Sequence, residues 1–189
     1  MAARRLSNTI GFDDAPFARS HRGPVPLVGA DFADLRFDGV LIGSIEKDGD
    51  DATDAVVGLV EQSRFREHVR LVLLQGIAFG GFNVVDPFGI HELLGVPVLV
   101  VSRRAPDRAA IRRALLGLVP GGAAKWAVLE RLGPMEPTHG VHVQRVGLSL
   151  DAAAEVVERL AVHGALPEPL RVAHLIAGAL GRGESRGGA

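Results

Sequence analysis

The chain has 189 residues, enough to bury a real core and typical of one domain. Apolar residues make up 47% and aromatics 5%, and the formal net charge is -1 at pH 7, so no global basicity announces a nucleic acid. There is no cysteine, which excludes disulfides, thiolate metal sites and a cysteine nucleophile.

No N-terminal stretch has a signal-peptide core, and no apolar run reaches the roughly 20 residues of a membrane helix. The expectation is a soluble cytoplasmic protein with no membrane partner. Lysine occurs only at Lys47 and Lys125. Nearly all positive charge is therefore Arg, which forks phosphate bidentately, although GC-rich coding gives the same bias.

Strand and helix patterns alternate along the chain. "RRLSNTIGF" (4–12) predicts a first strand leading to Asp13 and Asp14, and "PVPLVGADF" (24–32) and "GVLIGSIE" (39–46) predict two more. "DDATDAVVGLVEQSRF" (50–65) predicts a helix with an acidic start, and "VRLVLL" (69–74) a buried strand. In "DPFGIHELLG" (86–95) Asp86 caps a short helix, Pro87 opens it and Gly95 ends it.

"VPVLVV" (96–101) predicts another buried strand, followed by helices over 105–119 and 123–133. "VHVQRVG" (141–147) alternates as a strand does. Helices are expected over 149–164, with Ser149 capping and Gly164 closing, and over 167–181. No repeat or linker divides residues 1–181, read as a single domain, and residues 182–189 read as a flexible tail.

This order describes an α/β fold. A three-strand antiparallel start is followed by parallel strands, with helices on both faces of the mixed sheet. The ribonuclease H-like architecture has this order, and in it acidic residues of the first and fourth strands converge at the sheet's centre.

"VLLQGIAFGGFNVVD" (72–86) is an apolar run that opens at Gln75 and Gly76, the C-terminal end of a buried strand, where open α/β sheets place their chemistry. Gly76, Gly80 and Gly81 let backbone approach a ligand closely. Phe82 could stack on a base and Asn83 could hydrogen-bond one; turns and core packing are the structural alternative. "IGFDDAPF" sets two carboxylates side by side, which repel unless a cation or hydrogen bonds compensate. "EKDGDDATD" (46–54) holds five acids, among them Asp48 and Asp51, which either face those aspartates or serve a solvated turn and helix start. Arg103 and Arg104 sit where a strand opens, a good place to meet phosphate.

Several of these stretches, with "VPVLVVSRRAPD" and "LPEPLRVAHLIAGAL", resemble the DUF99 family, described as deoxyuridine endonucleases and distantly related to endonuclease V. The resemblance covers roughly residues 5–181. It implies a ribonuclease H-like fold and Mg²⁺- or Mn²⁺-dependent cleavage of DNA near a deaminated base. Asp13 matches the aspartate that ends the first strand of endonuclease V. Gln75 stands where its relatives have an aspartate, and Asp51 or Asp48 is a positional substitute for a glutamate. The late His or Asp of endonuclease V has no match in "QRVGLSL", and the wedge tyrosine is absent because the chain has no Tyr.

The implied activity is DNA repair endonuclease. Asp13, Gln75 and Asp51 are its candidate catalytic residues, and Asp13, Asp14 and Asp48 its candidate metal ligands. Gly76, Gly80, Gly81, Phe82, Asn83, Arg103 and Arg104 are the candidate substrate contacts. The rival is a nucleic-acid-binding module that keeps the fold and has lost the chemistry.

Overall fold

The computed structural model describes residues 6–186. Parts of the expected first strand (4–5) and tail (187–189) lie outside the described residues. Strand β1 (Asn8–Asp14) carries both aspartates within it rather than after it. It is followed by β2 (Pro24–Ala33), β3 (Arg36–Glu46) and helix α1 (Ala52–Glu61). Next come β4 (Leu71–Gln75), the two-residue strands β5 (Ala78–Phe79) and β6 (Asn83–Val84), α2 (Pro87–Leu94) and β7 (Val98–Ser102). The chain finishes with α3 (Arg108–Leu118), α4 (Gly122–Leu132), β8 (Glu136–Thr138), β9 (Val141–Val146), α5 (Leu150–Leu160) and α6 (Glu168–Arg182).

Seven strands form one sheet in the order β3-β2-β1-β4-β7-β9-β8. β1, β2 and β3 are an antiparallel meander, and β4 and β7 join β1 in parallel. This is the ribonuclease H-like arrangement, with β1 and β4 adjacent at its centre. The parallel run stops at β7, because β9 pairs antiparallel with it and β8 with β9. The end of α5 also differs from expectation. The helix stops at Leu160, four residues before Gly164, and α6, expected over 167–181, runs to Arg182 and is closed by Gly183 in the left-handed conformation.

Side chains alternate across a strand, so each face has its own partners. On one face Ile10, Phe12, Val72, Leu74, Val98 and Val100 are fully buried and cluster with α1 and α2. On the other, Leu71, Leu73, Leu99 and Val101 bury against α5 and Leu170 of α6.

Helix α6 lies hard against β1. A Cβ at Gly11 would sit 2.6 Å from the carbonyl carbon of Pro169, and one at Gly181 would sit 2.6 Å from the Pro16 carbonyl oxygen. Backbone meets backbone at both ends, and neither side can yield by rotating a side chain. Gly11→Ala is expected to push α6 off β1 and to cost about 1–3 kcal/mol, the usual penalty for overpacking. A denaturant titration measures it. A Gly11→Ala protein as stable as the parent would mean that α6 is not seated on this strand.

Candidate active site

The contact at Gly11 sets the register between β1 and α6. Two residues further along β1, Asp13 points to the α6 face. Five residues beyond Pro169, His174 returns to meet it. His174 Nδ1 lies 2.7 Å from Asp13 Oδ2. Asp13 is 5% exposed, so this is a nearly buried carboxylate–imidazole pair. Burial pushes the Asp13 carboxyl up from its usual range, and the hydrogen bond and charge of His174 pull it back only in part.

Gln75 ends β4 beside Asp13, and its Nε2 is 3.5 Å from His174 Nδ1. Nδ1 donates its proton to Asp13 and has no lone pair left for Gln75. Gln75 Oε1 is buried with no hydrogen-bond partner. An unpaired buried amide oxygen costs roughly 1–3 kcal/mol. Such an atom beside a buried carboxylate is an incomplete oxygen donor set, of the kind that a hard cation or an ordered water completes.

Asp14 faces the other way, as the strand period requires. Its Oδ2 accepts the Gly80 N–H at 2.9 Å. Burial raises its carboxyl to about 6, with the Asp13 charge adding to the shift and the Gly80 N–H opposing it. The folded pKa therefore exceeds the unfolded value of 3.8. The folded chain holds the proton more tightly, so the contribution to stability is full below about pH 4 and is lost as pH rises through 6. The loss is on the order of 2–3 kcal/mol. Asp14→Asn removes that liability and keeps an acceptor for Gly80. In EDTA at pH 8 it is expected to raise the melting temperature by several degrees, since about 1 kcal/mol moves a chain of this length by 2–4 °C. At pH 4 the two proteins should melt together. A variant that melts lower at pH 8 would contradict the assignment.

The acids of residues 46–51 do not turn toward Asp13. Asp48, at φ 56, donates its backbone N–H to the Gly80 oxygen (2.8 Å), and its carboxylate accepts from Phe82 N (2.9 Å). Asp51 accepts from Glu46 N and, at 2.6 Å, from Asn83 Nδ2. Asn83 is fully buried, and its Oδ1 accepts the first N–H of α1 from Ala52 at 3.0 Å. Lys125 of α4, 6% exposed, closes the clasp on the oxygens of Asp48 and Gly49 and on Asp50.

The structure thus holds Asp48, Asp51 and Asn83 together as a brace between the acidic turn and the glycine loop. Their polar atoms are committed to that brace, not turned to Asp13 or to a base. Gly80 and Gly81, both at positive φ, form the β5–β6 turn, and Phe82 is 36% exposed beside it. Among the described residues no three His, Cys, Asp or Glu side chains are grouped to hold one ion.

A cleft of about 230 Å³ opens over the ends of β4 and β7, lined by Gln75, Gly76, Ser102, Arg103 and Leu166. Arg104 is exposed just beyond it. Gly76 and Ser102 also line a smaller cavity of about 90 Å³, whose far walls are Ile111, Leu129, Met135 and Gln144. Arg103 therefore borders the cleft that holds Gln75, whereas the brace residues do not.

The family model described as Endonuclease dU matches residues 5–181. The chain belongs to the endonuclease dU family. A UPF0215 protein of Deinococcus radiodurans is 52% identical over 183 residues, covering 97% of this chain and 93% of that protein. A crystal structure of a protein of unknown function from Archaeoglobus fulgidus superposes with a TM-score of 0.86 at 31% identity, covering 93% of this chain and 98% of the other. Endonuclease V of Ciona intestinalis shares the fold, with a TM-score of 0.56 at 11% identity and coverage of 89% and 83%. Its structure is a complex with a 24mer DNA containing an inosine followed by a ribo-adenosine. Family and fold together support a nuclease.

His174 is the site residue that the sequence reading missed. A late His was sought in residues 144–150, but the imidazole comes from α6, within the stretch "LPEPLRVAHLIAGAL" that already carried the family resemblance. The close approach at Gly11 is the structural reason it reaches Asp13.

Proposed function

We propose that this endonuclease dU family member cleaves DNA beside a deaminated base, deoxyuridine first, by metal-assisted hydrolysis of a phosphodiester. The observation that carries the reading is the buried Asp13–His174 pair with the orphaned Gln75 oxygen, at the strand ends where the Arg103 cleft opens. Asp13 and Gln75 offer oxygen ligands that fit one Mg²⁺ or Mn²⁺, which can be held by one or two protein ligands beside substrate phosphate. They do not form the multi-carboxylate cage of a dedicated two-ion site. The ion would supply Lewis acidity at the phosphorus.

The protein's own groups do the rest. In hydrolysis a water oxygen bonds to phosphorus and one ester P–O bond breaks. The water gives up a proton and the departing oxygen gains one. With Nδ1 donating to Asp13, His174 keeps Nε2 to accept or return that proton. Asp13 fixes the tautomer and steadies the imidazolium when it forms. Arg103 and Arg104 would pair with backbone phosphates.

A damaged base that leaves the stack needs a pocket. The 90 Å³ cavity beside Gly76 has room for little more than a single ring. Gln144 spends its amide nitrogen on the Gly133 oxygen at 2.5 Å, leaving a carbonyl oxygen to accept an imide N–H. Uracil carries that N–H at N3 and cytosine does not. Gln144→Ala is expected to reduce the preference for dU over undamaged DNA about tenfold, the worth of one good hydrogen bond. Parallel cleavage of dU-containing and matched dC-containing duplexes measures it. An unchanged ratio would remove Gln144 from recognition. Among the described residues no three carboxylates are grouped for one ion, an observation that one rival also accommodates: a DNA-binding module without cleavage. That protein would bind the same duplexes and never nick them.

A further inference from the structure

Asp31 of β2 is a buried acid that the Asp13 site does not use. It stands opposite Ile10 of β1 and shares its face, the α1 face, whereas Asp13 points to α6. Only 3% of Asp31 is exposed, yet among the described residues its carboxylate accepts no hydrogen bond and forms no ion pair. Buried carboxylates are as a rule paired. Burial raises the Asp31 carboxyl to about 6; the Asp38 charge adds to the shift, and His68 and Arg64 oppose it. The strand pairing of β2 with β3 shifts register between Asp31 and Phe32, an irregularity of the kind that re-aims a side chain.

Asp31 opens into a cavity of about 330 Å³, whose other walls are Asn8, Arg36, Asp38, Arg64, Phe65 and His68. Some of these groups satisfy one another. Arg36 holds both oxygens of Asp38, at 2.6 and 2.9 Å. Asn8 Oδ1 accepts the Ser7 hydroxyl at 3.1 Å, which leaves the Nδ2 donors. Arg64 lies 4.8 Å over the Phe65 ring and gives one N–H to the Asp38 backbone oxygen at 3.3 Å. Its other N–H groups and the His68 ring are unspent among the described residues, and both side chains are exposed. The cavity therefore offers free acceptors on one buried carboxylate and free donors on Arg64, His68 and Asn8. A bare cation would be repelled by Arg64, and a bare anion by Asp31. A small molecule that carries both charges meets a partner for each.

We propose that this cavity binds a free α-amino acid, its ammonium on Asp31 and its carboxylate on Arg64, His68 and the Asn8 amide. The ammonium supplies the N–H donors that the buried acid lacks, and a planar guanidinium suits a carboxylate. The cavity lies on the face of the sheet away from Asp13, and the proposal does not depend on the proposed activity.

The test is isothermal titration of the full chain with each of the common L-amino acids in turn. At least one is expected to bind, and its amine and acid analogues, each lacking one of the two charges, should bind at least about tenfold more weakly. Asp31→Asn keeps the side chain's shape and should weaken binding about a hundredfold. The substitution removes an unpaired buried charge, so the variant should fold at least as stably as the parent at neutral pH. Arg64→Gln, at an exposed position, should weaken binding about tenfold. In proton NMR spectra the ring signals of His68 should move with the amino acid and those of His174 should not. A chain that binds none of the amino acids overturns the proposal. So does binding that is indifferent to Asp31→Asn, or an amine analogue that binds as tightly as the amino acid.

Discussion

Asp13→Asn is expected to reduce cleavage of dU-containing DNA by about a thousandfold, the scale of losing a preorganised charge in an active site. The substitution is nearly isosteric and removes one negative charge from a buried position. It weakens the cation site and lets the imidazole of His174 choose either tautomer. It leaves Arg103 and Arg104 untouched, so affinity for DNA in low salt should stay within a few-fold of the parent. Burial already raises the Asp13 carboxyl, so the variant should be no less stable than the parent in EDTA, and more stable at pH 8 than at pH 4 by comparison. Added Mg²⁺ should raise the melting temperature of the parent and not of Asp13→Asn. An Asp13→Asn protein that nicks at the parental rate would place the chemistry elsewhere.

His174→Ala is expected to lower the cleavage rate by a factor of about 10²–10⁴, the usual range for a positioned acid–base group. The loss should fall on the maximal rate rather than on DNA affinity, because His174 points into the site and not at the backbone. Single-turnover rates on dU duplexes, set beside binding titrations of the same duplexes, separate the two. A merely structural His174 would lower only the fraction of folded enzyme. An intact melting temperature and intact DNA affinity with a lost single-turnover rate identify the catalytic role.

Much of this site could be read from the sequence, and the reason is local. Asp13 sits next to the end of a strand whose buried residues Ile10 and Phe12 alternate, and Gln75 ends the apolar run over 71–74. Strand periodicity and the rule that ligands meet strand ends locate both. The period of two also says that neighbouring aspartates diverge, and Asp14 does turn away to Gly80. His174 was out of reach because 161 residues separate it from Asp13. Only the seating of α6 on Gly11 brings them together.

The acidic turn shows the opposite case. Its composition suggested ligands, yet Asp48 and Asp51 are taken up by Phe82, Glu46 and Asn83. Charge density in a sequence reveals the acids and not their partners. Asn83 misleads for the same reason: an amide that can read a base can equally cap α1, and here it does. The short strands β5, β6 and β8 have two or three residues each, too few for any periodicity to show.

The central claim is that Asp13, His174 and Gln75 form a working phosphodiesterase site. End-labelled duplexes carrying a single dU or dI, with an undamaged control, test it most directly. Each is incubated with the parent or Asp13→Asn in Mg²⁺, in Mn²⁺ and in EDTA. The account predicts a discrete nick near the dU with the parent and a divalent ion, none in EDTA, and almost none with Asp13→Asn. Salt-sensitive binding of the same duplex with no nick in either metal would contradict it, and would make the protein a DNA-binding module on a nuclease fold.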